Sequence, residues 1–339
     1  MTPTSTPTGP IRWGIAGTGR IVESVLPDLK LLGDEIVLQA IASRTQARAD
    51  QMKQEHGFVT AHGSYGALIA DPDVDAIYIA TTHPQHKKIA LAAIEAGKPI
   101  LVEKAFTASL AGAQEVVDAA RAKGVFVMEA MWTRFLPAVR ALHEVVASGE
   151  IGELRSIQGD LCAFREFDPT DRLFEIATGG GALLDLGVYP LSFAQDFLGN
   201  SEKLLVHGTH YENGADAEVG MLVTYPGGRY ATLVAALLTP GPGRMALMGT
   251  QGWAEVPPRF HHPTRIVVHP LGGESREIAP ETMGRGYGYE FLEVNRCLRE
   301  GLTESPHMTL DDTLEVMRLM QQGLDELDSP VVDDEDMEV

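Results

Sequence analysis

Positive charge is the scarce commodity in this chain: 27 lysines and arginines stand against 47 aspartates and glutamates, a formal net charge of -20. A phosphate backbone binds through clustered basic side chains, so that balance argues against nucleic acid as a partner. No apolar run approaches the roughly 20 residues that span a bilayer, which argues against a membrane partner as well. Cysteine is nearly absent. Cys162 and Cys297 are the only two, far apart in sequence, and they support neither a disulfide framework nor a thiolate metal site. The residues from Met1 to Pro10 are rich in Thr and Pro and lack both an apolar centre and an arginine pair. They read as a disordered leader rather than a signal peptide, and the protein is expected in the cytoplasm.

What is present is the composition of a globular chain, 44% hydrophobic and 22% charged over 339 residues, long enough to expect two domains. The expected division is a leader over 1–9, a dinucleotide-binding domain over 10–130, an α+β domain over 131–328 and an acidic tail over 329–339. The tail carries Asp333-Asp334-Glu335-Asp336-Met337-Glu338, which reads as solvated and disordered.

The strand-like Ile11 to Ala16 runs directly into Gly17-Thr18-Gly19-Arg20-Ile21-Val22. Strand, glycines and helix in that order are what a dinucleotide turn requires. Gly17 makes the turn, Gly19 lets backbone approach a pyrophosphate, and Thr18, Arg20 and Ile21 open the helix beneath it. Val22 takes the place of the usual third small residue. Pro27 is expected to kink the helix. Strands at Ile36 to Ser43, Asp75 to Ala80, Pro99 to Val102 and Val125 to Met128 alternate with helices at Thr45 to His56, His86 to Ala96 and Leu110 to Lys123. The fold class is α/β, a Rossmann doubly wound parallel sheet, whose carboxyl edge is where chemistry belongs.

Ser43 and Arg44 end the second strand, with Arg48 one turn on. A hydroxyl and a guanidinium there suit the 2′-phosphate of NADP, where an acid would suit NAD. Thr81 ends the strand at the cofactor, Thr82, His83 and Pro84 are expected as a loop over it, and His86 is expected to cap or pack the next helix. Two histidines three apart have no third ligand in the pattern, so no metal is expected. Glu103 and Lys104 follow the strand Pro99 to Val102 at the nicotinamide end, and Trp132 and Arg134 lie in the crossover after the last strand, Val125 to Met128.

From Leu154 the pattern changes to strands without helices between them: Arg155 to Phe164, Leu204 to Gly208, Ala217 to Tyr225, Arg229 to Leu238, Arg244 to Gly249 and Ile266 to His269. They imply an open, mostly antiparallel sheet. Inserted in it, Gly179-Gly180-Gly181 leads into a helix with Asp185 and Tyr189 four apart on one face. Two further helices are expected at Glu290 to Gly301 and Leu310 to Leu327. Both alternating sets of Tyr230 to Leu238 are largely apolar. One face of that strand therefore calls for a partner, and a homodimer through the sheet is expected.

Gly17-Thr18-Gly19, His83-Pro84-Gln85-His86, Glu103-Lys104, Met128 through Phe135, Gly179 through Tyr189, Tyr289-Glu290 and Cys297-Leu298-Arg299-Glu300-Gly301 together carry a family resemblance. Over nearly its whole length the chain resembles the glucose-fructose oxidoreductase and inositol dehydrogenase superfamily (Gfo/Idh/MocA), and within it the dimeric dihydrodiol dehydrogenase group. The resemblance implies a Rossmann domain joined to an open-sheet domain and a nicotinamide cofactor. It puts the catalytic lysine at Lys104, the aspartate at Asp185 and the terminal His or Tyr at Tyr189. The usual Glu-Lys-Pro is Glu103-Lys104-Ala105 here.

The chemistry follows from residue types. Hydride leaves a carbinol carbon while a base takes the hydroxyl proton, and an ammonium beside a phenol favours its phenolate. Tyr189 is the expected acid and base, Lys104 the charge and Asp185 the orienting group, with Trp132 and Arg165 also at the substrate. The expected function is an NADP-dependent oxidoreductase, with NAD the lesser cofactor, acting on a sugar, polyol, sugar-derived carbonyl or vicinal diol. The alternative from another class is a regulator that binds the dinucleotide without turnover.

Overall fold

The computed structural model describes residues 9–333 and 337–339. Nearly all of the expected leader and the central residues of the acidic run, 334–336, lie outside the described residues. The chain divides into two units, one of residues up to Ala130 with Met283–Leu310 and Asp333–Val339, the other of Met131–Thr282 with Asp311–Val332.

In the first unit, strands β1 (Ile11–Ala16), β2 (Ile36–Ala42), β3 (Thr60–His62), β4 (Ala76–Ile79), β5 (Ile100–Glu103) and β6 (Val127–Ala130) alternate with helices α1 (Arg20–Leu29), α2 (Gln46–His56), α3 (Tyr65–Ile69), α4 (His83–Glu95) and α5 (Leu110–Lys123). The sheet order is β3-β2-β1-β4-β5-β6, all parallel. This is the doubly wound Rossmann order, whose direction reverses between β1 and β4 and opens a crevice at their carboxyl ends. The strands β4, β5 and β6 are buried along their whole length, as covering both sheet faces with helices demands.

Local differences from expectation have local causes. Helix α4 begins at His83, so His83 and Pro84 form its first turn instead of a loop. Proline suits that position because the first turn needs no amide hydrogen from it. Helix α1 continues past Pro27 to Leu29 and then tightens into a 3-10 turn. β3 and α3, which the sequence pattern leaves blank, are short. The helix Gly288–Glu300 belongs with this unit although it follows the other in sequence. Phe291 packs edge-on against Trp13 and Tyr78, and the Trp13 indole donates to Asn295 at 3.1 Å.

The second unit opens with a 3-10 turn at Trp132–Phe135 and helix α6 (Pro137–Ala147). Its eight strands are β7 (Leu154–Cys162), β8 (Lys203–His210), β9 (Asp216–Tyr225), β10 (Arg229–Ala236), β11 (Met245–Gly249), β12 (Gly252–Val256), β13 (Ile266–Pro270) and β14 (Arg276–Ile278). They run in the order β14-β13-β12-β11-β7-β10-β9-β8, antiparallel at every pairing except β7 with β10. β12 and β14 are additions to the expected set. Helix α7 (Val188–Leu198) lies after β7, preceded by a π turn at Leu183–Gly187. No described helix is long and apolar enough to cross a membrane.

Candidate active site

Within the first unit the glycine turn is built by close approach. Gly17 sits at φ +124°, and a Cβ there would collide with the carbonyl oxygen of Ala80 at the end of β4. Only glycine lets the two strand ends meet this way. Gly19 is different: a Cβ on it meets nothing within 4 Å, and no side chain caps α1 behind it. Open space at an uncapped helix N-terminus is what a pyrophosphate fills. The residues present therefore fit a dinucleotide, which supplies hydride exchange when bound.

Around that turn, Ser43 is buried and its amide donates to His62, while Arg44 is exposed. Arg48 is engaged locally, donating to the Thr18 carbonyl at 3.3 Å and lying 3.6 Å from Glu23. Thr81 and Thr82 are half-buried at the end of β4.

The segment around Lys104 is held from three sides. The Lys104 amide donates to Glu103 Oε2 at 3.1 Å, the Ala105 carbonyl meets His86 Nδ1 at 3.0 Å, and the Phe106 amide donates to Glu129 Oε1 at 3.1 Å. The Lys104–Ala105 peptide bond is cis. His86 also faces the Thr81 carbonyl at 3.3 Å. Burial pushes the His86 imidazole down to about 4, so at neutral pH it is a neutral ring that donates to one of these carbonyls. The structure thus places His86 beneath the Lys104 segment, and His83 beside it with ring centroids 5.9 Å apart. Behind Glu103, Tyr78 donates a short hydrogen bond to its other carboxylate oxygen.

In the second unit the glycine run is set by a residue far away in sequence. Asp216, at the start of β9 and buried, accepts the Leu183 amide through Oδ2 at 2.6 Å and occupies the place of a Cβ on Gly181, at φ +129°. Burial raises the Asp216 carboxyl above its usual range, and the Leu183 amide works against that. The helix then opens as a π turn, where the sequence leads one to expect α turns. The Leu183 side chain packs where a Cβ of Gly187 would stand, 2.7 Å from that position. Single π turns occur frequently at functional sites. Asp185 lies in this turn, buried, and Tyr189 is the second residue of α7.

Tyr189 is one of four rings gathered here. The Trp132 indole nitrogen donates to the Tyr189 hydroxyl at 3.2 Å. Trp132 stacks on His262 at 5.6 Å, His261 lies 5.3 Å from the Tyr189 ring, and His261 and His262 meet edge to face at 4.5 Å. Thr133 donates to the His261 carbonyl at 2.6 Å and so ties the histidine loop to the turn that carries Trp132. Neither histidine stood out in the sequence, although an adjacent pair between Pro258 and Pro263 was a signal to read.

Arg134 is turned into the second unit's interior. Its guanidinium donates to the Ser192 hydroxyl and carbonyl, each at 3.2 Å, to Gln195 at 2.5 Å and to Asp312 at 3.3 Å, which fixes the Trp132 turn against α7. Arg165 is exposed and donates to the Phe164 carbonyl. The arginine brought to Asp185 is Arg172, at 3.2 Å. Phe167 and Phe174 pack on Tyr211, and that cluster anchors the loop carrying Arg172. Among the described residues, Glu23, Glu55 and His56 are the one group whose ligand atoms lie close enough together to hold an ion. They lie at the surface of the first unit, next to Arg48, which is 3.6 Å from Glu23.

A Rossmann sheet with an open glycine turn, followed by a mixed sheet carrying an inserted helix with Asp185 and Tyr189, defines a two-unit nicotinamide-dependent oxidoreductase. Residues 11–131 match the oxidoreductase family with NAD-binding Rossmann fold, and residues 139–255 match the GFO/IDH/MocA C-terminal domain. The chain is 37% identical to the trans-1,2-dihydrobenzene-1,2-diol dehydrogenase of Sus scrofa over 312 residues, covering 89% of this chain and 92% of that one. It is 33% identical to the enzyme of the same name from Xenopus tropicalis over 328 residues, with coverage of 93% and 98%. Among solved structures it is similar to KijD10, a 3-ketoreductase from Actinomadura kijaniata in complex with NADP and TDP-benzene, with a TM-score of 0.82, 26% identity and coverage of 93% and 98%. The chain belongs to the Gfo/Idh/MocA oxidoreductase family, and it is an NAD(P)-dependent dehydrogenase or reductase.

Proposed function

We propose that the protein moves hydride between NADP and a carbinol carbon of a vicinal diol, a sugar or a sugar-derived carbonyl, with Tyr189 as general acid and base. The observation that carries this reading is the Tyr189 hydroxyl, half-buried among Trp132 and His261 on a helix whose preceding turn holds Asp185. Similarity to enzymes named for a dihydrobenzene diol and for a 3-keto group supports the substrate class.

In oxidation the substrate hydroxyl gives its proton to the Tyr189 phenolate as the carbinol hydrogen departs with its electron pair and the carbonyl forms. Reduction reverses both transfers, and the Tyr189 phenol supplies the proton. Lys104 supplies the positive charge that favours the phenolate, and Asp185 orients the reacting hydroxyl. Gly17, Thr18, Gly19, Arg20 and Ile21 hold the pyrophosphate, while Ser43 and Arg44 hold the 2′-phosphate. Tyr189→Phe keeps the ring but removes the proton carrier, so kcat falls by about 10²- to 10⁴-fold while NADP affinity stays unchanged. Near wild-type turnover by that variant sinks the assignment.

We further propose a cytoplasmic homodimer joined through the second unit's sheet. Leu205 and Leu222 stand opposite each other on the outward face, and Tyr230, Val234 and Trp253 extend the same face, each at least a third exposed. A second copy presents the same apolar face and satisfies both at once. Light scattering should give twice the 36.6 kDa chain mass.

A further inference from the structure

We propose that Trp132 is a positioning residue that tunes Tyr189: its indole N–H, held on the phenol oxygen, stabilises the phenolate. The proposal rests on the acid-base reading of Tyr189 and adds to it a second residue with a defined task.

The geometry fixes the direction of the bond. Indole nitrogen carries a hydrogen and no available lone pair, so over the 3.2 Å between Trp132 Nε1 and the Tyr189 oxygen the indole donates and the phenol accepts. A tyrosine beside a carbonyl or carboxylate would give its proton to that neighbour. Trp132 offers no acceptor, so this contact does not compete for the phenol's own proton. When that proton leaves, the same contact becomes a hydrogen bond to an anion, which is stronger than the neutral bond it replaces. Trp132 therefore favours the deprotonated form, the form needed to accept a proton during oxidation.

The donor is held in place rather than free to follow the phenol. Trp132 is 3% exposed and stacks on His262. The residues after it are tied down on two sides, Thr133 to the His261 carbonyl and Arg134 to Ser192 and Gln195 on α7 itself. The helix that carries Tyr189 is thus bonded to the turn that carries Trp132. A donor fixed in advance needs no reorganisation when charge appears on the oxygen.

The test is Trp132→Phe, which keeps an aromatic ring and removes the N–H. The pH dependence of kcat/KM for oxidation should move its rising limb to higher pH by about one to two units, the size of a hydrogen bond to a charged group. Direct titration of the phenolate absorbance, with Tyr189→Phe as the reference that lacks the step, should show the same upward movement without cofactor. Thermal unfolding establishes that both variants are folded. If Trp132→Phe does not fold, 5-fluorotryptophan labelling of the unaltered chain makes the N–H a stronger donor and should move the limb down. An unmoved limb in a folded Trp132→Phe protein, or in the labelled one, overturns the proposal while leaving Tyr189 as acid and base. Undiminished turnover by Tyr189→Phe overturns the acid-base reading itself.

Discussion

Arg172 Nη2 lies 3.2 Å from Asp185 Oδ1, an ion pair between a half-exposed guanidinium and a buried carboxylate. Half-exposed pairs contribute at most about 1 kcal/mol, so Arg172→Ala should change kcat/KM by less than about fivefold. Asp185→Asn removes the charge from the group proposed to orient the substrate hydroxyl and should cost about ten- to a hundredfold. Steady-state kinetics of the two variants rank the effects. Equal losses would mean that Asp185 serves chiefly to hold Arg172 and its loop.

The two glycines of the cofactor turn should fail in different ways. Gly17→Ala places a Cβ against the Ala80 carbonyl at a φ that side chains rarely adopt, so it should lower stability by at least about 1–3 kcal/mol. Gly19→Ala meets no protein atom and has an ordinary φ of -81°, so its melting temperature should match the parent's. Its Cβ instead enters the space proposed for the pyrophosphate, and NADP affinity should fall. Calorimetric melting and cofactor titration separate the two, and unchanged NADP binding by Gly19→Ala would count against the placement.

That contrast shows what sequence makes legible. The Gly17–Gly19 turn, the alternation of strand and helix and the Asp185–Tyr189 spacing are local patterns, set by residues within a few positions of each other. The π turn is not local, because Asp216 reaches it from another strand. Arg172, His261 and His262 sit in loops whose path is fixed by Phe174 on Tyr211 and by Thr133 on a carbonyl, contacts between distant segments. β12 and β14 are short and carry only a few apolar residues between turns, too little for a period to show. The helix Gly288–Glu300 looks like part of the domain it follows until Phe291 is seen against Trp13.

Beside Phe291, Glu290 is fully buried, and neither of its carboxylate oxygens has a hydrogen-bond partner. Burial, and then the charge of Glu103, push its carboxyl well above the ordinary 4.5. The folded chain therefore keeps a proton there that the unfolded chain releases once pH rises past 4.5, so this group's contribution to stability is lost as pH rises from that value. Glu290→Gln has no proton to keep. Its stability advantage over the parent should be absent below that pH and widen above it by about 1.4 kcal/mol per pH unit until the folded group itself ionises. Chemical denaturation across that range checks it, and a difference that does not vary with pH would refute a protonated Glu290.

Cofactor choice is proposed to turn on Arg44 rather than Arg48. Arg48 is already committed to the Thr18 carbonyl and Glu23, whereas Arg44 is exposed at the end of β2 and, among the described residues, joins no ion pair. A guanidinium on the 2′-phosphate makes charge-assisted bonds of about 1.5–3 kcal/mol, about ten- to a hundredfold in affinity. Arg44→Ala should raise the Kd for NADP by that factor and leave the Kd for NAD within about twofold, because NAD has no phosphate there to lose. The parent's preference should also shrink as salt is added, since the exposed side chain is screened by ions. Arg44→Asp should reverse the order, because a carboxylate repels the phosphate and accepts the 2′-hydroxyl of NAD. Fluorescence titration of the three proteins with both cofactors decides the matter: a parent that binds NAD and NADP equally, or an Arg44→Ala variant that keeps the parent's preference, removes Arg44 from the cofactor site.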